Sequence, residues 1–374
     1  RPRPPPVKAA PHVHGTHEFE ERPPVNTYIL RRILGTIPVL LGVTFLVFAI
    51  NRIIPSNPAV AILGDKGTVE AQQQLAEELG LNKPVFIDVA GYRQTGQLGT
   101  LFDSQYVTYM RDLLTGNLGR SFMTRSPVVD SLKVRFPATM ELAFFAIIIG
   151  ALVGILLGVL AALFRGTWLD TTMLFIAVSG VSFPVFWTAI ILIYLFSVHL
   201  GWFPPAGRLA VTTTFEPLTG MYVLDALLRG QFATAASALH HLVLPAFALG
   251  TNAMALIMRM TRSSMLDVLK RDYVRTATAK GLARRVVVIK HALRNALLPI
   301  VTVAGLSFGA LLSGAILIEA IFNWPGIGSW VYNAITQRDY PIIQGGILFI
   351  AGVFVLLNLL VDLSYVLIDP RTRY

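Results

Sequence analysis

Six stretches of mainly apolar residues punctuate the chain, each flanked by polar or basic residues and each long enough to cross a membrane. A hydrocarbon core about 30 Å thick takes roughly 20 helical residues. The first stretch runs from about Tyr28 to Ile50, with Arg31 and Arg32 at its start. The second, about Pro137 to Phe164, holds a 22-residue uncharged run from Ala143 onward. The third, about Asp170 to Val198, contains Pro184, which is expected to kink it because proline removes a backbone donor. The fourth, about Ala235 to Met258, is the weakest, interrupted by His240, His241 and Asn252. The fifth and sixth cover about Leu298 to Phe322 and Ile342 to Ile368. The pattern predicts an all-α polytopic membrane protein with six transmembrane helices.

The polar intervals set the orientation. From Arg259 to Arg294 the chain carries ten basic residues against two acidic ones, Asp267 and Asp272. A short loop with that excess stays on the cytoplasmic side. With six spans, Arg31-Arg32, Arg165 and the Arg371/Arg373 tail fall on the same side, so both termini are expected in the cytoplasm. The 52–136 interval holds nine basic and eight acidic residues and, being long and nearly balanced, is free to translocate. An amphipathic helix is expected within it, about Val69 to Leu79, ended by Gly80. A second outer excursion, 199–234, carries Trp202, Pro204 and Pro205. The division that follows is a Pro/His-rich cytoplasmic tail (1–27), the first span with a large outer loop (28–136), and a five-helix core (137–368). The core contains the basic loop 259–297, and a short tail, 369–374, closes the chain.

Small residues recur at helical spacing. Gly150, Gly154 and Gly158 share one helix face, as do Gly305, Gly309 and Ser313. Such spacing lets helix backbones approach closely inside a bilayer, and packing is the expected role.

Composition agrees with the membrane reading. The 374 residues are 54% hydrophobic and 14% charged, with a mean hydropathy of +0.62. The formal charge of +10 sits largely beside the spans. It lacks the aromatic–basic interleaving or zinc-finger spacing of a nucleic-acid binder, so no nucleic-acid partner is expected. Zero cysteines exclude disulfides and thiolate sites. Residues 1–26 hold seven prolines and no apolar core, so they do not read as a secretory signal. His12, His14 and His17 lie close together there, but metal ligands need a held geometry and no metal site is expected.

The chain lacks the chemistry to energise transport alone. A phosphate-binding loop requires Gly-Lys followed by Ser or Thr, and no lysine follows a glycine. Glu141, Asp170, Glu319 and Asp362 fall near expected helix ends, where capping or interfacial pairing fits better than the proton relay of an ion-coupled carrier. His-Glu-x-x-His, a mark of an intramembrane metal-dependent hydrolase, is absent. The chain is therefore read as non-catalytic.

Several segments carry a resemblance. The basic loop reads Asp272-Tyr273-Val274-Arg275-Thr276-Ala277-Thr278-Ala279-Lys280-Gly281-Leu282, then His291-Ala292-Leu293-Arg294-Asn295-Ala296-Leu297-Leu298-Pro299. To these are added Leu79 to Pro84, Gly116 to Ser121, Ser182 to Trp187, Glu319 to Ile327, Arg338 to Pro341, and the Asp369-Pro370-Arg371 ending. Together they resemble the permease subunits of binding-protein-dependent ABC importers, in the dipeptide/oligopeptide/nickel branch. The basic loop is similar to that family's "EAA" loop, with Arg275-Thr276 where Glu-Ala is usual. Pro55-Ser56-Asn57-Pro58 replaces the family's Pro-Gly-Asp-Pro. The match spans about Tyr28 to Tyr374.

The resemblance implies a type I importer permease in the bacterial cytoplasmic (inner) membrane. Implied partners are a second homologous permease, two ATP-binding subunits and an extracytoplasmic solute-binding protein. ATP and Mg would sit on the partner subunits, with no cofactor on this chain. Di- and oligopeptides are the implied cargo, with nickel complexes, glutathione or sugars as alternatives. The ATPase-coupling residues would be Asp272, Tyr273, Arg275, Thr276, Ala277, Ala279, Lys280, Gly281 and Leu282. Ala277 and Ala279 are expected to leave room for a partner, so that a charge at Ala277 uncouples transport. The polar groups offered to a substrate pathway are Ser179, Ser182, Asn252, Ser307 and Ser313, few enough to suit varied cargo.

Overall fold

The computed structural model describes residues 25–53, 68–78 and 80–368. The histidine cluster, the tail before Val25, Pro55 to Pro58, Leu79 and the 369–374 ending lie outside the described residues.

Helix α1 (Val25–Ile53) is followed by three short helices, α2 (Val69–Glu78), α3 (Val89–Thr95) and α4 (Gln105–Leu114). Next come α5 (Val128–Leu163), α6 (Trp168–Ser182) and α7 (Val185–Leu192), the last running on in π geometry to His199. After α8 (Tyr222–Leu228) the long α9 (Phe232–Leu269) leads to α10 (Asp272–Ala279). Helix α11 (Arg284–Ile321), α12 (Ile327–Gln337) and α13 (Tyr340–Ile368) complete the chain. Among the described residues, five helices are long and apolar enough to cross a membrane, and the bent pair α6–α7 makes a sixth if counted as one span.

The helices outrun their apolar stretches. Helix α5 begins at Val128 rather than near Pro137, α9 continues to Leu269, and α11 starts at Arg284. Hydropathy marks only what meets lipid, whereas a helix continues into water as long as one face stays packed. Met265, fully buried beyond the apolar part of α9, is such a contact. The basic loop 259–297 therefore reduces to residues 270–283, with helix on both sides. Within α11, residues Val287–Leu293 are π-helical and Pro299 is accommodated just beyond them.

The weakest stretch in the sequence is the centre of the bundle. In α9, 72% of the most apolar window is buried, against 11% to 33% in the other four long helices. A helix surrounded by protein does not have to satisfy lipid, so it tolerates His240, His241 and Asn252. Helices α5 and α9 run parallel, joined along a seam of small residues. A Cβ on Gly150 would come within 3.1 Å of the Gly250 carbonyl, one on Gly154 within 2.7 Å of the Met254 carbonyl, and one on Gly158 within 2.7 Å of the Met258 carbonyl. Gly250 reciprocates, its Cβ position lying 2.6 Å from the Ala146 carbonyl. Between apolar helices in lipid, such backbone contact is the main source of association. Gly305 and Gly309 on α11 instead make room for side chains of α13, Val361 and Asn358 with Phe354; Ser313, next in that series, is exposed.

Pro184 breaks its span rather than kinking it. Phe183, forced toward extended geometry by the following proline, has φ −83 and ψ 136, and α6 and α7 meet at 108°. Phe183 and Trp187 stack across the break at 4.6 Å. On the periphery, α1 lies along α13, with Arg32 and Asp362 paired at 2.8 Å. Helix α4 and the segment at Phe86 are fastened to the C-terminal part of α1 by an aromatic cluster of Phe45, Phe48, Phe86, Tyr106 and Tyr109.

Candidate functional site: a basic elbow and a clamped rim

The bundle has two distinct ends. At the basic end, α10 forms an elbow between α9 and α11. Asp272 opens its first turn, where a negative charge suits the helix dipole. Gly281, at φ +76, lets the chain leave in a left-handed conformation. Its amide bonds the Thr278 carbonyl at 3.0 Å. One face of α10 is buried: Val274 and Ala277 pack on Val287, with Val268 and Leu269 beside them. The opposite face presents Asp272, Tyr273, Arg275, Thr276 and Ala279 to solvent, continued by Lys280, Gly281 and Leu282. An open depression of roughly 400 Å³ lies alongside, lined by Leu269, Val274, Arg275, Thr278 and Ala279.

Ala277 thus faces its own chain, not outward. Of the two alanines expected to admit a partner, only Ala279 stands on the exposed side. Tyr273, Leu282, Val286 and Ile289 are exposed apolar groups set among Arg275, Lys280, Arg284, Arg285 and Lys290. The elbow is braced from behind. Arg262 on α9 grips Asp170 on α6 with two bonds of 2.7 and 2.8 Å, and Asp170 also accepts from the Gly166 amide. The exposed Asp272–Arg275 pair at 3.6 Å contributes little.

At the far end, four buried carboxylates hold four different segments. Glu141 on α5 pairs with Arg208 at 2.6 Å and accepts from the Val223 amide at 2.7 Å. Arg208 also donates to the Gly220 carbonyl and stacks over Tyr222, 3.6 Å from the ring centre, with Trp324 at 5.4 Å. Glu319 on α11 accepts from Thr139 at 2.6 Å and from the Ser329 amide at 2.9 Å, which places its charge at the start of α12. Asp225 accepts from the amides of Leu218, Thr219 and Gly220. Asp339 accepts from the Ser121 hydroxyl and from the amides of Phe122 and Met123. Charge-assisted bonds of this kind are roughly twice as strong as neutral ones, so the loops at this end are fixed to the helix tips.

The carboxylates singled out in the sequence all have partners. Glu141, Asp170 and Asp362 are ion-paired, and Glu319 caps a helix. Glu141 is deeper in its helix than expected, because α5 starts early. Arg208 and Asp225 went unmarked in the sequence; the run of turn-forming residues around Gly220 is the signal that points to a fixed loop there.

The five polar residues suggested for a pathway are distributed over α6, α9 and α11. Ser179 is half-buried, while Ser182 is exposed and donates to the Val178 carbonyl. Ser307 is buried and Ser313 exposed. Asn252, half-buried on the central helix, has a buried amide oxygen with no hydrogen-bond partner among the described residues. None of the five lines the depression at the elbow.

Comparison with known proteins gives a consistent result. The family model for the binding-protein-dependent transport system inner membrane component matches residues 154–374, and that for the N-terminal part of the same membrane component matches residues 25–143. The dipeptide transport system permease protein DppB of Alkalihalophilus pseudofirmus is 46% identical, over 93% of this chain and 99% of its own length. DppB of Escherichia coli K12 is 45% identical over 93% and 98% of the two chains. The glutathione transport system permease protein GsiC of Escherichia coli is 37% identical over 93% and 99%.

Proposed function

From the premise that this chain belongs to the binding-protein-dependent transport system inner membrane components, and so is a non-catalytic, multi-pass inner membrane permease, we propose that it imports di- and oligopeptides, driven by ATPase partners. A second homologous permease and two ATP-binding subunits work with it, and ATP and Mg bind on those subunits. A solute-binding protein delivers cargo to the far end, which faces outward, while the basic end and both termini lie in the cytoplasm.

The observation that carries the coupling role is the elbow. Helix α10 is bound to its own chain by Val274 and Ala277, yet keeps Tyr273, Thr276 and Ala279 open. A partner that grips the open face moves α10 and α9 together, because the buried face leaves α10 no independent path. Closure of the ATPase pair then shifts the bundle as a rigid body between inward- and outward-open states. The fixed partners of Glu141, Asp170, Glu319 and Asp362 favour this external drive over an ion-coupled carrier, whose ionisable groups must change partners.

The cargo class rests on relatives named for dipeptides at 45–46% identity and for glutathione, itself a small peptide, at 37%. Calorimetry on the purified solute-binding protein distinguishes the two: dipeptide binding with no glutathione binding is expected. The coupling role is tested by Ala279→Asp in the reconstituted four-subunit complex. Uptake is expected to fall at least about tenfold, the effect of some 1.4 kcal/mol at the contact, while the complex still assembles. Uptake at the normal ATP-driven rate overturns the docking assignment.

A further inference from the structure

A cavity of about 200 Å³ opens at the far end, bounded by α5, α12, the start of α13 and the turn after Ser121. Arg135 on α5 lies half-buried in its wall, with its guanidinium carbon 5.6 Å from the ring centre of Trp330. Among the described residues, no side chain forms an ion pair or hydrogen bond with this guanidinium. Glu319 attracts it through space, but its two oxygens are engaged by Thr139 and the Ser329 amide. Asp339, also in the wall, is fully buried and saturated by Ser121, Phe122 and Met123.

We propose that this cavity is a socket for one carboxylate, an aspartate or glutamate side chain presented by the extracytoplasmic protein that hands over the cargo. The proposal rests on the permease reading above, which places the far end outside. Three observations support it.

The first is charge. The carboxylates in and behind the wall are already satisfied, and Asp130 on the same helix is paired with Lys133. Arg125 in the turn and Arg338 at the end of α12 add exposed positive charge around the opening. The second is preorganisation. Asp339 fixes the turn, Glu319 fixes α12, and Trp330 holds the guanidinium by a cation–π contact. Arginine held in this way presents a planar fork that matches a carboxylate with two parallel bonds. Asn333 and Gln337, one turn apart on α12, line the same cavity and supply further donors.

The third is size. At about 200 Å³ the cavity has room for an acidic side chain to reach the guanidinium. Arginine set in a pocket is also the type of group that dominates protein–protein binding energy.

The test uses the reconstituted complex, titrated with its solute-binding protein in cargo-saturated form. In R135Q, the binding-protein concentration for half-maximal uptake is expected to rise more than about tenfold, with assembly unchanged by size exclusion. R135K restores only part, because lysine keeps the charge but loses the fork. Q337E, at an exposed position, shifts the titration in the same direction, and its effect shrinks as salt is raised; it carries the test if R135Q fails to assemble. An unchanged half-saturation in R135Q, or in Q337E where R135Q does not assemble, overturns the socket and leaves the permease reading standing. So does a shift that follows cargo concentration at fixed binding protein, which points to the cargo's own carboxylate. Wild-type vesicles that the binding protein does not stimulate overturn the underlying reading instead.

Discussion

Gly250 and Arg208 show how much rests on single side chains. A methyl at Gly250 would sit 2.6 Å from a carbonyl oxygen of α5 that cannot rotate away. Gly250→Ala is expected to destabilise the detergent-solubilised protein by about 1–3 kcal/mol, the usual cost of overpacking, read as a lowered thermal midpoint. Gly352→Ala, with nothing within 4 Å of the new methyl, serves as the neutral control. Removing Arg208 strands Glu141 in a site where it is 3% exposed. Arg208→Met is expected to cost about 3–5 kcal/mol, and pairing it with Glu141→Gln to recover a substantial part, as measured by chemical denaturation. The buried partnerships were not legible in the sequence, and the reason is distance. Arg208 is 67 positions from Glu141, and Ser121 is 218 from Asp339. No local pattern links such residues. The glycine series on α5, by contrast, was legible because it repeats on one face of one helix.

At the scale of elements, Pro184 and α9 carry the main departures. Hydropathy located every long helix but ranked α9 last, since it scores contact with lipid and α9 has little. It also set helix ends too early or too late, because amphipathic extensions such as residues 259–269 are anchored by a few packed side chains and not by overall apolarity. The proline signal was present but understated: a span that loses one backbone bond kinks, whereas here Phe183 is extended and the axis turns through 108°. Pro184→Ala is expected to straighten α6–α7, since it restores a donor and lifts the restriction on Phe183. Spin labels at Trp168 and Val198, both exposed, report this as a longer mean distance. An unchanged distance assigns the bend to packing against α9 instead. At the elbow, Ala277→Asp and Ala279→Asp are expected to differ in kind: the first loosens α10 from Val287 and from Val268 and Leu269 and lowers stability, the second leaves the fold intact and affects the partner contact.

For the whole molecule, the elbow and the rim are joined through α9 and α5. A 38-residue helix extends about 57 Å, and the glycine seam locks it to its parallel neighbour. Cysteine labels introduced at Lys133 and Asp267, exposed positions toward opposite ends of this pair, are expected to keep one separation through the ATP cycle. The chain has no native cysteine to interfere. A separation that changes with nucleotide shows that the seam slides.

The seam also limits where the passage can open. Two helices whose backbones touch cannot part to admit water without losing every one of those contacts together, so no route for solute runs between them. On the proposed transport reading, opening and closing falls to the surfaces that lack such a weld, the bent α6–α7 segment among them. On that reading the glycine seam is the hull of the machine, and the bend at Pro184 is a candidate hinge for its door.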